Sequence, residues 1–328
     1  MKAIYINEFG SIDNLAFKDI ETPELPSAEH VLVKVHAAAL NRADLLQARG
    51  LYLPPAGYSP NIPGLEFAGE VTEVGVSVTD WKRGDRVFGI TAGEAQAEFL
   101  VTDESLLMRI PDNLSYADAA CVPEAFVTAH DAIFTLGELA AGEDLLIHAV
   151  GSGVGLAALQ MAKARNARVI GTSRTADKLD RCRESGLDHG LCVTDPDAFA
   201  EQVLAATDGR GANVILDLVG AAYFAQNLAS LASQGRLMLV GLTSGRTAEF
   251  NLGLALQKRA KIVGTVLRPR SIAQKADATA KFAAEILPLF ESGAVKPNLD
   301  RVFPASDAVA AYKYLESNES FGKVVLEF

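Results

Sequence analysis

The chain has 328 residues, 49% of them apolar, and 41 acidic against 30 basic side chains give it a formal charge of −11. That length leads us to expect two domains, and the acidic balance disfavours nucleic acid or an anionic membrane as a general partner. Cys121, Cys182 and Cys192 are scattered without a C-x-x-C, which fits free thiols in a reducing compartment and excludes a disulfide framework.

In chain order, residues 1 to 122 read as β-rich. Strand-like alternation covers Met1 to Ile6, His30 to Ala37, Glu66 to Val74 and Arg86 to Ile90, with a short helix expected over Arg42 to Arg49. Leu51 to Pro63 is a loop rich in Pro, Gly and Tyr, either a binding-site wall or plain surface. The opening MKAIYINEFG lacks the apolar core of a signal peptide, and no apolar run reaches the roughly 18 residues of a membrane span, so a soluble, cytoplasmic protein is expected. Ser115 to Leu136 turns helical. Ser115 and Asp118 make a capping signature, and Pro123 divides the stretch into two helices.

Leu145 to Val150 reads as a buried parallel strand. Gly151, Ser152, Gly153, Val154 and Gly155 form a tight turn, Leu156 to Arg165 has helical spacing, and Arg168 to Thr172 is a second strand. This strand, glycine-rich turn, helix and strand has the size of a dinucleotide-binding unit. The first helical turn carries backbone N–H groups without partners and a partial positive charge, so a pyrophosphate can sit there if no side chain blocks it. The glycine spacing is G-x-G-x-G rather than G-x-G-x-x-G, so context carries the reading. Further strands at 190–193, 214–218, 236–241 and 261–266 alternate with helical stretches, predicting an α/β, doubly wound parallel sheet of Rossmann type. In such a sheet Leu218, Val219 and Gly220, with Val240, Gly241 and Leu242, fall along the cofactor cleft.

The second strand ends at Ser173, Arg174 and Thr175, roughly 20 residues beyond the glycine turn, where an NAD-binding chain places an acid on the ribose 2′-hydroxyl. No acid stands there. Ser173 can donate a hydrogen bond, and Arg174 and Lys178 can pair with a 2′-phosphate, which predicts NADPH over NADH. The alternative is that both cations belong to a solvated face. Residues 268 to 328 carry helices at about 272–291 and 306–317 and a last strand, Lys323 to Phe328. Such a tail cannot build its own core. It is expected to complete the first domain, giving a discontinuous 1–122 plus 268–328 unit around a 123–267 cofactor domain.

Several stretches now coincide with one family: AALNRADLLQARGLYLPP (38–55), PGLEFAGEVTEVG (63–75), WKRGDRVFG (81–89), VPEAFVTAHDAIF (122–134), SGVG (152–155), GTSRTADKL (171–179) and FGKVVL (321–326). The chain resembles the medium-chain dehydrogenase/reductase superfamily over essentially its full length, and more narrowly its zinc-independent, zeta-crystallin-like quinone oxidoreductase branch. The resemblance implies that the β-rich domain is GroES-like and catalytic. Zinc-dependent relatives hold their catalytic metal through Cys and His at places where this chain has Asn41 and Leu65, and the cysteines of a structural zinc lobe are missing. The histidines at 30, 36, 130, 148 and 189 are dispersed, so no metal site is expected, and Glu66 is left with a structural role. Alcohol oxidation needs help with the hydroxyl proton, whereas a quinone or a conjugated C=C is already electron-poor.

The resemblance also implies residue roles. Asn41 and Asp44 would line the nicotinamide pocket, Thr128 would approach the same end, and Gly322 and Lys323 would reach the cofactor phosphates or ribose. Tyr52 would stand near hydride transfer, either donating a hydrogen bond to a quinone oxygen or packing as a loop aromatic. His130 replaces a common Trp and is either a packing histidine or a general acid. The leading expectation is an NADPH:quinone oxidoreductase acting by hydride transfer, with an NADPH-dependent enal or enone reductase as a rival. A non-catalytic NADPH- or RNA-binding protein is the third reading, resting on Lys258, Arg259, Lys261, Arg268 and Arg270 as a local basic patch. A homodimer is expected through the edge strand Lys261 to Val266.

Overall fold

The computed structural model describes residues 1–328. They divide into two compact units: Met1–Val127, Leu267–Gly293 and Pro297–Phe328 form the first, and Thr128–Val266 with Ala294–Lys296 the second. The first division falls inside the helix that begins at Pro123, a few residues beyond the expected boundary.

The first unit opens with strands β1 (Lys2–Ile6), β2 (Leu15–Asp19) and β3 (His30–Ala39), helix α1 (Arg42–Ala48), and strands β4 (Glu66–Val74), β5 (Arg86–Ile90), β6 (Phe99–Asp103) and β7 (Leu107–Arg109). Helices α2 (Tyr116–Ala120) and α3 (Pro123–His130) follow, and the chain then winds into a π-helical segment, Asp131–Leu136. Along β3 every second side chain, Val31, Val33 and Val35, points inward, the period of a half-buried strand. Strands β2, β6 and β7 were not expected from the sequence.

The second unit follows with β8 (Asp144–Ile147), α4 (Gly153–Ala164), β9 (Arg168–Ser173), α5 (Ala176–Glu184), β10 (His189–Cys192), α6 (Ala200–Ala206), β11 (Ala212–Asp217), α7 (Phe224–Ser230), β12 (Leu231–Leu239), α8 (Leu252–Lys258) and β13 (Lys261–Gly264). Its six strands run parallel in the order β10-β9-β8-β11-β12-β13, which is the doubly wound sheet. The apolar residues of β8 and β9 are buried on both faces of the sheet. The core collects Leu146, Ile170, Phe199, Val203, Ile215 and Leu237, each large aliphatic side chain contributing about 1.5–3 kcal/mol by burial.

The chain then returns to the first unit with α9 (Ile272–Glu291), β14 (Leu299–Pro304), α10 (Ala308–Ser317) and β15 (Lys323–Glu327). β15 pairs antiparallel with β3 and parallel with β14, completing a seven-stranded sheet ordered β14-β15-β3-β4-β5-β7 with β6 on β3. Tyr312, Leu315, Val324 and Leu326 from this return pack with Ile4, Ile6, Leu40 and Leu45. The tail therefore shares the core of the N-terminal strands. No helix is long and apolar enough to cross a membrane.

Candidate active site

In the second unit the glycine turn starts earlier than expected. β8 ends at Ile147, because Ala149 takes a left-handed backbone with φ 50° and Val150 N–H donates to Thr172 O (3.0 Å) instead of continuing the ladder. Ser152 caps α4, its hydroxyl accepting from Gly155 N–H at 3.1 Å. A Cβ on Gly155 would lie 2.6 Å from the carbonyl oxygens of Ala149 and Val150, so only glycine lets the helix start so close to the strand end. Gly153 and Val154 keep partial exposure at this N-terminus. These features fit a pyrophosphate.

Ser173 closes β9 with its hydroxyl accepting from Thr175 N–H (3.2 Å); Arg174 is exposed, and Lys178 lies half-buried on α5. The nearest acid, Asp177, sits in the first turn of α5, where the helix dipole favours it. The loops after β11 and β12 touch. A Cβ on Gly241 would fall 2.5 Å from Leu218 O, and one on Gly220, at φ 90°, 2.9 Å from Leu242 Cα. Val219 and Val240 are half-buried beside them.

Beneath these loops runs a buried polar chain that the sequence reading missed. Asp217 accepts from Val219 N–H (2.7 Å), Gly220 N–H (2.9 Å) and the Asn227 amide (3.0 Å). Asn227 turns its carbonyl to His148 Nε2, and His148 Nδ1 meets Thr172 Oγ1 at 2.9 Å. Because the Asn227 amide nitrogen faces Asp217, its oxygen accepts from His148. His148 Nε2 therefore carries a proton, and the lowered affinity for a second one leaves the ring neutral near pH 7. Burial pushes His148 down to about 4, with Asn227 opposing, and pushes Asp217 up to about 6 against its three donors. The available signal was a polar residue at the end of each apolar strand.

In the first unit Asn41 stands at the N-cap of α1. Its amide donates to Glu66 Oε1 (2.9 Å) and its carbonyl accepts from Lys323 Nζ (2.7 Å). Lys323 also reaches Leu40 O (2.7 Å) and Glu66 Oε1 (2.6 Å), and the other Glu66 oxygen accepts from Glu124 N–H (2.8 Å). Three of the expected site residues, Lys323, Gly322 and Asp44, are engaged within the first unit. Lys323 is 4% exposed with every ammonium proton engaged. Gly322, at φ 102°, serves a close chain approach, since a Cβ there would lie 2.2 Å from Asn298 O. Asp44 does not line a surface. Fully buried, it accepts from Asn41 N–H (2.7 Å), Gly64 N–H (3.1 Å) and Gln96 (3.3 Å), and burial raises it to about 6. Its bond to Asn41 N–H fixes the start of α1.

Tyr52 is half-buried, and desolvation pushes its hydroxyl up. Glu124 is raised to about 8, chiefly by burial and next by the Glu66 charge. Thr128, half-buried on α3, belongs to the second unit, as does His130, which is buried and lies edge-on to Phe134 at 5.5 Å. Its surroundings match the packing reading. Two of the five residues of the expected basic patch are drawn inward: Arg268 is 4% exposed, and Lys258 gives its ammonium to the carbonyls of Ala229 (2.6 Å) and Leu231, while Arg259 and Lys261 stay exposed.

The residues at the place of a catalytic zinc do not fit one. Asn41 and Glu66 are saturated by each other, Lys323 and Glu124, and Leu65 is buried and offers no donor. Cys121 is buried, its thiol donating to Ala117 O and pushed well above its usual range. No three His, Cys, Asp or Glu side chains gather into a group able to hold a metal ion.

Residues 27–132 match the family model described as the alcohol dehydrogenase GroES-like domain, and residues 153–283 that of the zinc-binding dehydrogenase. With the split into a mixed β-unit and a parallel-sheet unit, this defines the class: the chain belongs to the medium-chain dehydrogenase/reductase superfamily. Among relatives, it is 33% identical to a quinone oxidoreductase of Pseudomonas aeruginosa over 99% of both chains. Among solved structures, mycobacterial Rv1454c complexed with NADPH superposes with a TM-score of 0.90 at 30% identity, covering 100% of each chain. The CurK enoyl reductase gives 0.86 at 27% identity, covering 99% of this chain and 98% of its own. The chain is thus an oxidoreductase of this superfamily.

Proposed function

We propose that the chain reduces electron-poor acceptors, quinones first, with NADPH and without a metal ion. The observation that carries this reading is the closed set Asn41–Glu66–Lys323, in which an ammonium neutralises the carboxylate that would otherwise stand beside a metal. A quinone needs no Lewis acid to become a hydride acceptor. The Pseudomonas aeruginosa relative supports the same acceptor class.

NADPH, when bound, supplies the hydride. The N–H groups at Gly153 and Val154 would hold the pyrophosphate at the α4 terminus, where Gly155 keeps the approach open, and Ser173, Arg174 and Lys178 would hold the 2′-phosphate. Rv1454c, solved with NADPH, supports the choice of cofactor. Thr128 of the second unit would orient the nicotinamide end, and in the first unit Asn41 is fixed by Glu66 and Lys323. The Tyr52 hydroxyl donates to an acceptor oxygen as negative charge develops there.

The likeness to the CurK enoyl reductase favours one rival, reduction of a C=C conjugated to a carbonyl. A panel of ortho- and para-quinones beside alkenals and enones, followed by NADPH loss, separates the two. Quinone turnover with a lower KM for NADPH than for NADH is expected. Fast alkenal reduction without quinone turnover gives the rival, and an equal or lower KM for NADH removes the cofactor reading.

A further inference from the structure

We propose that Arg268 is a positioning residue for the acceptor loop, fixing the backbone that carries Tyr52 from within the first unit. The proposal rests on the reading of Tyr52 as an acceptor-facing residue.

The segment from Leu51 to Pro63 has no strand or helix of its own, so its carbonyls need donors from elsewhere. The backbone N–H groups of Ile6, Glu94 and Gln96 serve Asn61, Ile62 and Pro63 at its far end, and Arg268 serves Tyr52 at its near end. Its Nη1 donates to Tyr52 O at 2.7 Å and its Nε to Ala92 O at 2.8 Å, while its Nη2 donates to the side-chain oxygen of Gln47. Gln47, itself fully buried, donates onward to Pro60 O (2.9 Å) and Ile62 O (3.4 Å). One guanidinium and one amide thus bond to both ends of the loop, while Leu53, Ala56 and Gly57 between them are exposed. The guanidinium carbon also lies 5.0 Å from the centre of the Tyr52 ring, the distance of a cation–π contact. Its hydrogen-bond partners are carbonyl oxygens rather than carboxylates. A buried cation held this way is costly as a source of stability alone, whereas its rigid planar fork sets directions that a lysine cannot reproduce.

The test uses the full-length chain with Arg268→Lys, and Gln47→Met as a second variant should the first fail to fold. KM is measured for a para-benzoquinone and for NADPH, and chymotrypsin cleavage is timed within residues 51–58. The quinone KM is expected to rise about tenfold while the NADPH KM stays within about twofold, with cleavage of the loop faster than in the parent. Unchanged cleavage, or KM values that rise together for both substrates, overturns the proposal. Tyr52→Ala keeps the two readings apart. If it leaves the quinone KM unchanged while Arg268→Lys still loosens the loop, the role assigned to Tyr52 fails and the anchoring by Arg268 stands.

Discussion

His148 and Asp217 titrate in opposite senses. His148 is lowered in the fold from 6.5 to about 4, so the unfolded chain binds its proton first and stability falls as pH drops through that window. Asp217, raised from 3.8 to about 6, gains relative stability over an overlapping window as pH drops. His148→Gln removes only the first effect. The parent is expected to be more stable than this variant at pH 7, with the gap narrowing as pH falls from about 6.5 to 4 in thermal melts; a gap that widens contradicts the assignment. The ion pair of Glu66 and Lys323 makes a second prediction. Lys323→Met strands a buried carboxylate and is expected to cost about 3–5 kcal/mol in denaturant titration, with Glu66→Gln added to it recovering part of the loss. Neither arrangement was legible in the sequence. Asn227 lies close to Asp217 in sequence but 79 residues beyond His148, which it joins to Asp217, and Arg268 in R-P-R reads as surface charge until its carbonyl partners are known.

Elements with a strong period were legible. The two apolar strands β8 and β9 around the glycine turn, the capped twenty-residue helix α9, and the alternating strand β3 all carry enough pattern to identify them. The strands that escaped, β2, β6, β7 and β14, have three to six residues and borrow their conformation from a partner strand. β8 stops short of its apolar run because of a left-handed Ala149, which leaves no mark on composition. The end of β9 carries the cofactor prediction. Arg174→Ala is expected to raise the NADPH KM about tenfold in steady-state assays, with little change for NADH. Equal effects on both cofactors would place Arg174 away from the 2′-phosphate.

At the scale of the whole molecule, the discontinuous first unit follows from a tail too short to bury itself. The second unit ends its sheet at β13, which leaves an open strand edge. Beside it in sequence, Leu252 is 71% and Leu256 80% exposed on α8, with Phe250 and Leu242 also exposed. We propose that a second copy covers these residues across a two-fold axis. Light scattering is expected to give a dimer for the parent and a monomer for Leu256→Asp; a monomeric parent at micromolar concentration contradicts this. The central claim is that NADPH reduces a quinone here with no metal ion taking part. Its most direct measurement is the rate of NADPH loss with a para-benzoquinone, using protein dialysed against a chelator and assayed for zinc by elemental analysis. Undiminished turnover is expected with zinc far below one ion per chain. Loss of turnover that added zinc restores would contradict it.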